Sequence, residues 1–190
     1  MTWVERLFEF LAGMLTKVEL SKLTTDDKAI AGAVTIAVTP PTFSETRDVE
    51  EDRQRATVVA YMRSQKGDKY KYGAEILPGH EYEAEQGDCS EYNEAAFRVA
   101  GKFMPDGVVN QRAHCRRVKT EALKPADLVI LKPNAKGIPH VMVCSGEGTV
   151  IHALGGVGVV EQPIWDWLNH VRFDGVWRHP EWARPPEERA

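Results

Sequence analysis

Cys89 stands in the run Gly87-Asp88-Cys89-Ser90, directly ahead of a stretch in which Tyr92, Ala95, Ala96, Val99 and Ala100 recur at helical spacing up to Gly101. A cysteine at a loop-to-helix junction meets unpaired backbone N–H groups and the positive end of the helix dipole, and both favour a thiolate. Asp88 reads as the helix cap, not as a reacting group. An activated thiol also needs a base and a group to orient that base. His140 opens the apolar run Val141-Met142-Val143-Cys144, and His152 ends the run Thr149-Val150-Ile151 that follows the turn at Ser145–Gly148. Paired as a hairpin, these runs bring the two imidazoles together across adjacent strands. Their neutral-range titration suits proton transfer.

Plainer roles exist for each residue. His140 can cap a strand, and His152 can be a core histidine bonded to a carbonyl. His80, His114, His170 and His179 are read as structural. Cys144 alternates within a strand run and reads as buried packing. Cys115, beside His114 and Arg116-Arg117, has no base spaced to serve it. The Cys and His spacings lack the short pairs of a structural zinc site, so no metal or cofactor is expected.

The elements that must hold these residues are legible as changes of texture. Trp3, Val4, Leu7, Leu11, Met14 and Leu15 form one apolar helical face, which can dock on the main domain, on a partner chain or on a membrane surface; docking on protein is the expectation. Thr39-Pro40-Pro41-Thr42 is the linker candidate, which divides the chain into a helical segment with linker over 1–47 and a main domain over 48–185. Acidic residues from Asp48 open a helix through Arg63, with Ala56, Val59, Ala60 and Met62 as its expected buried side. Leu128–Leu131, Val141–Cys144, Thr149–His152 and Gly158–Val160 are short β-rich runs parted by turn residues. Helices followed by an antiparallel meander make an α+β arrangement.

The bulk properties exclude several classes. A net charge of −4 and no long basic run leave no electrostatic footprint for nucleic acid. Three cysteines without a CxxC pair do not make a disulfide framework. Glu5 and Glu9 interrupt what would be the apolar part of a signal peptide, so none is expected. Ala29–Val38, the longest apolar run, is too short to span a bilayer.

In order, Tyr70-Lys71-Tyr72-Gly73, Asp88-Cys89-Ser90, Ala126-Asp127-Leu128, His140-Val141, Ile151-His152-Ala153 and the terminal Gly175-Val176-Trp177-Arg178 resemble the NlpC-type cell-wall cysteine peptidases, over roughly residues 51–180. The resemblance implies a papain-like domain, helices packed on an antiparallel sheet with the nucleophile at a helix N-terminus. It also implies roles: Cys89 as nucleophile, His140 as base, His152 as its orienting group, and Tyr70, or Tyr72 if the register slips by two, near the oxyanion. The implied substrate is an amide bond of a peptidoglycan stem peptide, commonly that between D-γ-glutamyl and a diamino acid. Without a signal, such a protein would be made in the cytoplasm and reach the wall through a phage lysis or tail apparatus, or through a secretion system. Alternatives are an acyltransferase or deamidase on the same scaffold, or a non-catalytic phage or wall-binding module. The sequence departs from the family pattern in a longer 74–87 loop, in Ala74 and Ala126 where glycines are usual, and in Glu91-Tyr92 after Ser90. These departures leave the trio intact and bear on specificity.

Overall fold

A computed structural model describes residues 43–183. The chain divides after Pro40, and the described residues all belong to the second unit, Pro41–Ala190. The amphipathic stretch at residues 3–15 lies outside the described residues.

Helix α1 spans Phe43–Ser64, starting ahead of the acidic residues expected to open it. Its inward side also differs from the expectation: Val58, Val59, Tyr61 and Met62 are buried together with Arg55, while Ala56 and Ala60 face solvent. The rotation has an electrostatic cause. Arg55 turns inward to donate to the Pro125 carbonyl at 2.7 Å and to the buried Asp127 carboxylate at 3.2 Å. Asp127 in turn accepts two bonds from Arg178, at 2.8 and 2.7 Å. One carboxylate, directly ahead of the Leu128–Leu131 strand, thus ties α1 to that strand and to the last strand of the main sheet, Phe173–Arg178.

Two-residue strands β1 (Lys69–Tyr70) and β2 (Gln86–Gly87) pair in parallel. Helices α2 (Cys89–Val99) and α3 (Val108–His114) follow. Helix α2 is closed by Gly101 at φ +71°, where the Lys102 N–H reaches back to the Phe97 carbonyl. Strands β3 (Arg116–Val118), β4 (Leu128–Leu131), β5 (His140–Cys144), β6 (Thr149–Leu154), β7 (Gly158–Pro163) and β8 (Phe173–Arg178) form one sheet in the order β3-β8-β4-β5-β6-β7. Every pairing in it is antiparallel. A short helix α4 (Trp165–Leu168) joins β7 to β8. This is the expected α+β arrangement.

Strand alternation sorts the core into two sides. Leu128, Ile130, Val141, Val143, Ile151 and Ala153 pack with Val58, Met62, Tyr92 and Phe97 of α1 and α2. On the reverse face Val129, Leu131, Met142, Cys144 and Val150 pack with Ile164, and Trp167 and Leu168 of α4 lie against them. Burial on both faces explains why β4 reads as an unbroken apolar run.

Backbone bonds tie the residues just ahead of β1 to β7: Val159 N–H donates to the Asp68 carbonyl at 2.9 Å, and Gly67 N–H to the Val159 carbonyl at 3.0 Å, while Tyr70 packs against the core. Gly158 makes this approach possible. Its φ is +103°, and a Cβ there would strike the Asp68 carbonyl oxygen. Gly158→Ala is therefore expected to destabilise the domain by about 2 kcal/mol and to loosen β1, which carries Tyr70. An unchanged thermal midpoint would contradict this.

Candidate active site

Asp88 builds the start of α2. Its Oδ1 accepts the N–H groups of Ser90 and Glu91 at 3.0 and 3.1 Å, and its Oδ2 accepts that of Gly73 at 3.1 Å. One carboxylate therefore caps the helix and anchors the Tyr70–Gly73 turn beside it. The β1–β2 pairing places Tyr70 opposite Gly87, two residues before Cys89. Gly87 must be glycine, because a Cβ would come within 2.9 Å of the Tyr92 ring. The unusual pair Glu91-Tyr92 acquires a reason here. Glu91 accepts the Ile76 N–H at 2.6 Å, and the Tyr92 hydroxyl donates to Asp68 at 3.0 Å. Arg98, further along α2, donates to the Ile76 carbonyl at 3.0 Å. Glu91, helped by Arg98, fastens the long 74–87 loop to the helix, and Tyr92 ties the helix to the residue just ahead of β1.

Cys89 itself is 6% exposed. The backbone N–H groups of Val141, Ser90 and Cys89 favour a charged sulfur, but burial outweighs them and Asp88 opposes them, so the thiol is pushed up to about 11. A helix start by itself favours a thiolate; here burial leaves a resting thiol that requires a base.

Val141 is the neighbour of His140, the first residue of β5. His140 and His152 meet as the hairpin predicts, with His140 Nε2 2.7 Å from His152 Nδ1. The register Val143↔Ile151 and Cys144↔Val150 sets both on one face, diagonal to each other. His152 is fully buried, and its Nε2 lies 3.0 Å from the Gln162 Oε1. Trp167 stands edge-on to His152, with centroids 4.9 Å apart, and 6.2 Å from His140. Burial drives His140 down to about 3, with the charges of His152 and Arg172 adding to the effect. Burial holds His152 at about 4 against the opposing bond from Gln162. Both rings are neutral at pH 7.

A cleft of about 320 Å³ opens over Cys89, lined also by Tyr70, Tyr72, Val108, Val109 and Pro139. Tyr70 is half-buried and its phenol is pushed up to about 12 by burial and by the neighbouring Cys89 and Asp88, so it stays a hydrogen-bond donor. Tyr72 is 71% exposed, at the rim. A larger hollow of about 570 Å³ between α1 and the Ser145–Glu147 turn contains none of these groups. Cys115 and Cys144 are buried elsewhere in the two cores.

Reading the sequence missed Gln162 and Trp167. Gln162 lies two residues beyond Val160, the register partner of His152; once β6 and β7 pair, alternation brings it to the same face. Trp167 arrives through α4 and carries no strand periodicity.

The neutral imidazoles, two buried and one half-buried, fix an acid response. His140, His152 and His179 are all depressed, His179 to about 4, chiefly by burial. The unfolded chain binds protons at these groups near pH 6.5 and the folded chain does not. Their contribution is complete above that pH and is lost as pH falls toward 4. Between pH 6.5 and 5 each is expected to remove on the order of 1–2 kcal/mol. Urea midpoints across this range check the slope; a flat profile would refute neutral burial.

The NlpC/P60 family model matches residues 67–175, more than half of the chain and all of the cleft's elements. The chain belongs to the NlpC/P60 family. Solved NlpC/P60 structures share its papain-like fold. The peptidoglycan hydrolase RipB from Mycobacterium tuberculosis superposes at a TM-score of 0.56 with 20% identity, over 84% of this chain and 88% of that one. The P60 domain of a Mycobacterium avium subspecies paratuberculosis antigen matches at 0.55 and 21%, over 67% of this chain and 95% of that one. A Staphylococcus aureus NLP/P60 lipoprotein-like structure matches at 0.54 and 20%, over 67% of this chain but only 42% of its own length. No curated protein matches the chain significantly. Among the described residues of this NlpC/P60 chain no helix is long and apolar enough to cross a membrane.

Proposed function

We propose that the chain is a cysteine peptidase or amidase that hydrolyses an amide bond in peptidoglycan stem peptides, with Cys89 as nucleophile, His140 as base and His152 as its orienting group. The observation that carries this reading is the 2.7 Å bond between the two imidazoles, with His140 one residue from the Val141 N–H that is directed at the Cys89 sulfur; Cys89 itself lines the open cleft. Family membership and the hydrolase name of the RipB neighbour support the substrate class.

In this mechanism His140 Nε2 is occupied by His152, so Nδ1 takes the Cys89 proton as sulfur attacks the amide carbonyl carbon. The tetrahedral oxyanion is met by the Cys89 N–H and the Tyr70 hydroxyl. The proton on Nδ1 then passes to the leaving amine, the C–N bond breaks and a thioester remains. Water then gives a proton to Nδ1 as its oxygen attacks the thioester carbon; the C–S bond breaks, Nδ1 returns the proton to sulfur, and the carboxylic acid released loses its own proton to solvent. Imidazole as both base and acid matches a buried thiol that does not ionise alone.

Digestion of purified peptidoglycan by the full chain, followed by mass spectrometry of soluble muropeptides, tests the proposal. The expected products are stem-peptide fragments with one new amine and one new carboxylate. Intact stems after prolonged digestion would sink it.

A further inference from the structure

The hydrogen-bond chain behind the base runs one residue further than a nucleophile, a base and an orienting group require. Gln162 Oε1 lies 3.0 Å from His152 Nε2. An amide oxygen only accepts, so His152 Nε2 carries the hydrogen. A neutral imidazole has a single N–H, which leaves His152 Nδ1 as a lone pair. Its partner at 2.7 Å, His140 Nε2, must then be the donor. With its hydrogen on Nε2, His140 has its lone pair on Nδ1, the one ring nitrogen that His152 leaves open.

We propose that Gln162 is a positioning residue: its amide oxygen fixes the tautomers of both histidines and so makes His140 Nδ1 the basic nitrogen of the site. Its catalytic consequence rests on the reading of Cys89, His140 and His152 given above, whereas the tautomers themselves do not. The reversed amide would donate to His152 Nε2, turn the chain around and place a hydrogen on His140 Nδ1, where it blocks proton removal from the thiol.

The surroundings support a chain that is neutral throughout. Trp167 covers both rings on the reverse face of the sheet, and His170 stacks on its indole with centroids 5.9 Å apart. Arg172 is the cation acting on His140. Glu161, the nearest carboxylate along β7, is engaged with Arg63 and Lys66. The Gln162 amide supplies an acceptor without a charge, so it selects a tautomer and leaves His152 neutral.

The test uses the full chain with ¹⁵N-labelled histidine and reads imidazole tautomers by long-range ¹H–¹⁵N correlation at pH 7, a measurement independent of catalysis. Wild type is expected to show protonated Nε2 and unprotonated Nδ1 on both rings. Gln162→Met is expected to lose that order and to lower kcat by about 10–100-fold with KM little changed. Gln162→Glu keeps an acceptor, so it should restore the tautomers and most of kcat while moving the acid limb of the pH profile upward, because a carboxylate favours protonated His152. A hydrogen on His140 Nδ1 in wild type, or Gln162→Met with unaltered tautomers and kcat, overturns the proposal. Peptidoglycan cleavage with reversed tautomers removes the role of Gln162 alone. The expected tautomers with no cleavage by wild type remove the hydrolase reading, and with it the catalytic role of Gln162.

Discussion

Cys89→Ala is expected to reduce muropeptide release by at least about 10³-fold, His140→Ala by nearly as much, and the double variant by no more than the worse single one. The non-additivity is the informative part. A resting thiol near 11 contributes almost no thiolate at pH 7, so attack requires the proton to leave as the S–C bond forms. Without the base the sulfur is inert, and without the sulfur the base has nothing to activate. Folding is not the explanation for such losses, because Cys89→Ala removes one small group at a cleft wall and leaves the Asp88 cap in place. Thermal midpoints of the variants should stay within a few degrees of wild type. Release above a tenth of the wild-type rate by Cys89→Ala would show that the sulfur is not the nucleophile. Additive losses would mean that the two residues serve separate steps.

The contrast between what the sequence conveyed and what it did not follows from the range of the interactions. The β5–β6 hairpin was legible because apolar alternation and a Ser-Gly turn are local, and the meeting of His140 with His152 follows from them. Cys89 at a helix start was legible for the same reason, since Asp88 caps within three residues. The protonation state of Cys89 was not legible. The helix dipole and the N–H groups of Ser90 and Cys89 are local, but the Val141 N–H and the core packing whose burial outweighs them all come from parts of the chain distant in sequence. The inward side of α1 failed similarly: an arginine at position 55 reads as solvent-facing until Asp127 appears beside it across the fold. Ala126, where the family pattern has glycine, adopts φ +62° while fully buried. Nothing in its neighbours announces a left-handed alanine, and its buried methyl offsets part of the strain. Glu91 and Tyr92 stood out as departures, yet their partners Ile76 and Asp68 lie across a loop whose path only the folded chain reveals.

Asp127→Asn tests the other half of the architecture and should give the opposite signature: a large loss of stability with the chemistry intact. Asp127 is fully buried between two guanidiniums whose side chains are 2% and 8% exposed. Its Oδ2 also accepts the Lys124 N–H at 2.9 Å. A neutral amide removes the charge that both arginines face and presents an N–H₂ where an acceptor is needed. Breaking a buried ion pair on one side typically costs about 3–5 kcal/mol, which for a domain of this size lowers Tm by roughly 10–15 °C. Arg178 also donates to the Ala122 carbonyl, and Arg55 to that of Pro125, so neither can leave for water without releasing the turn before β4. None of these groups lines the cleft. At a temperature where both proteins are folded, Asp127→Asn should therefore retain the wild-type kcat while urea denaturation shows the deficit. A loss under about 1 kcal/mol would mean that the carboxylate does not balance the two arginines. A fall in kcat at full folding would mean that the network reaches the catalytic strand after all.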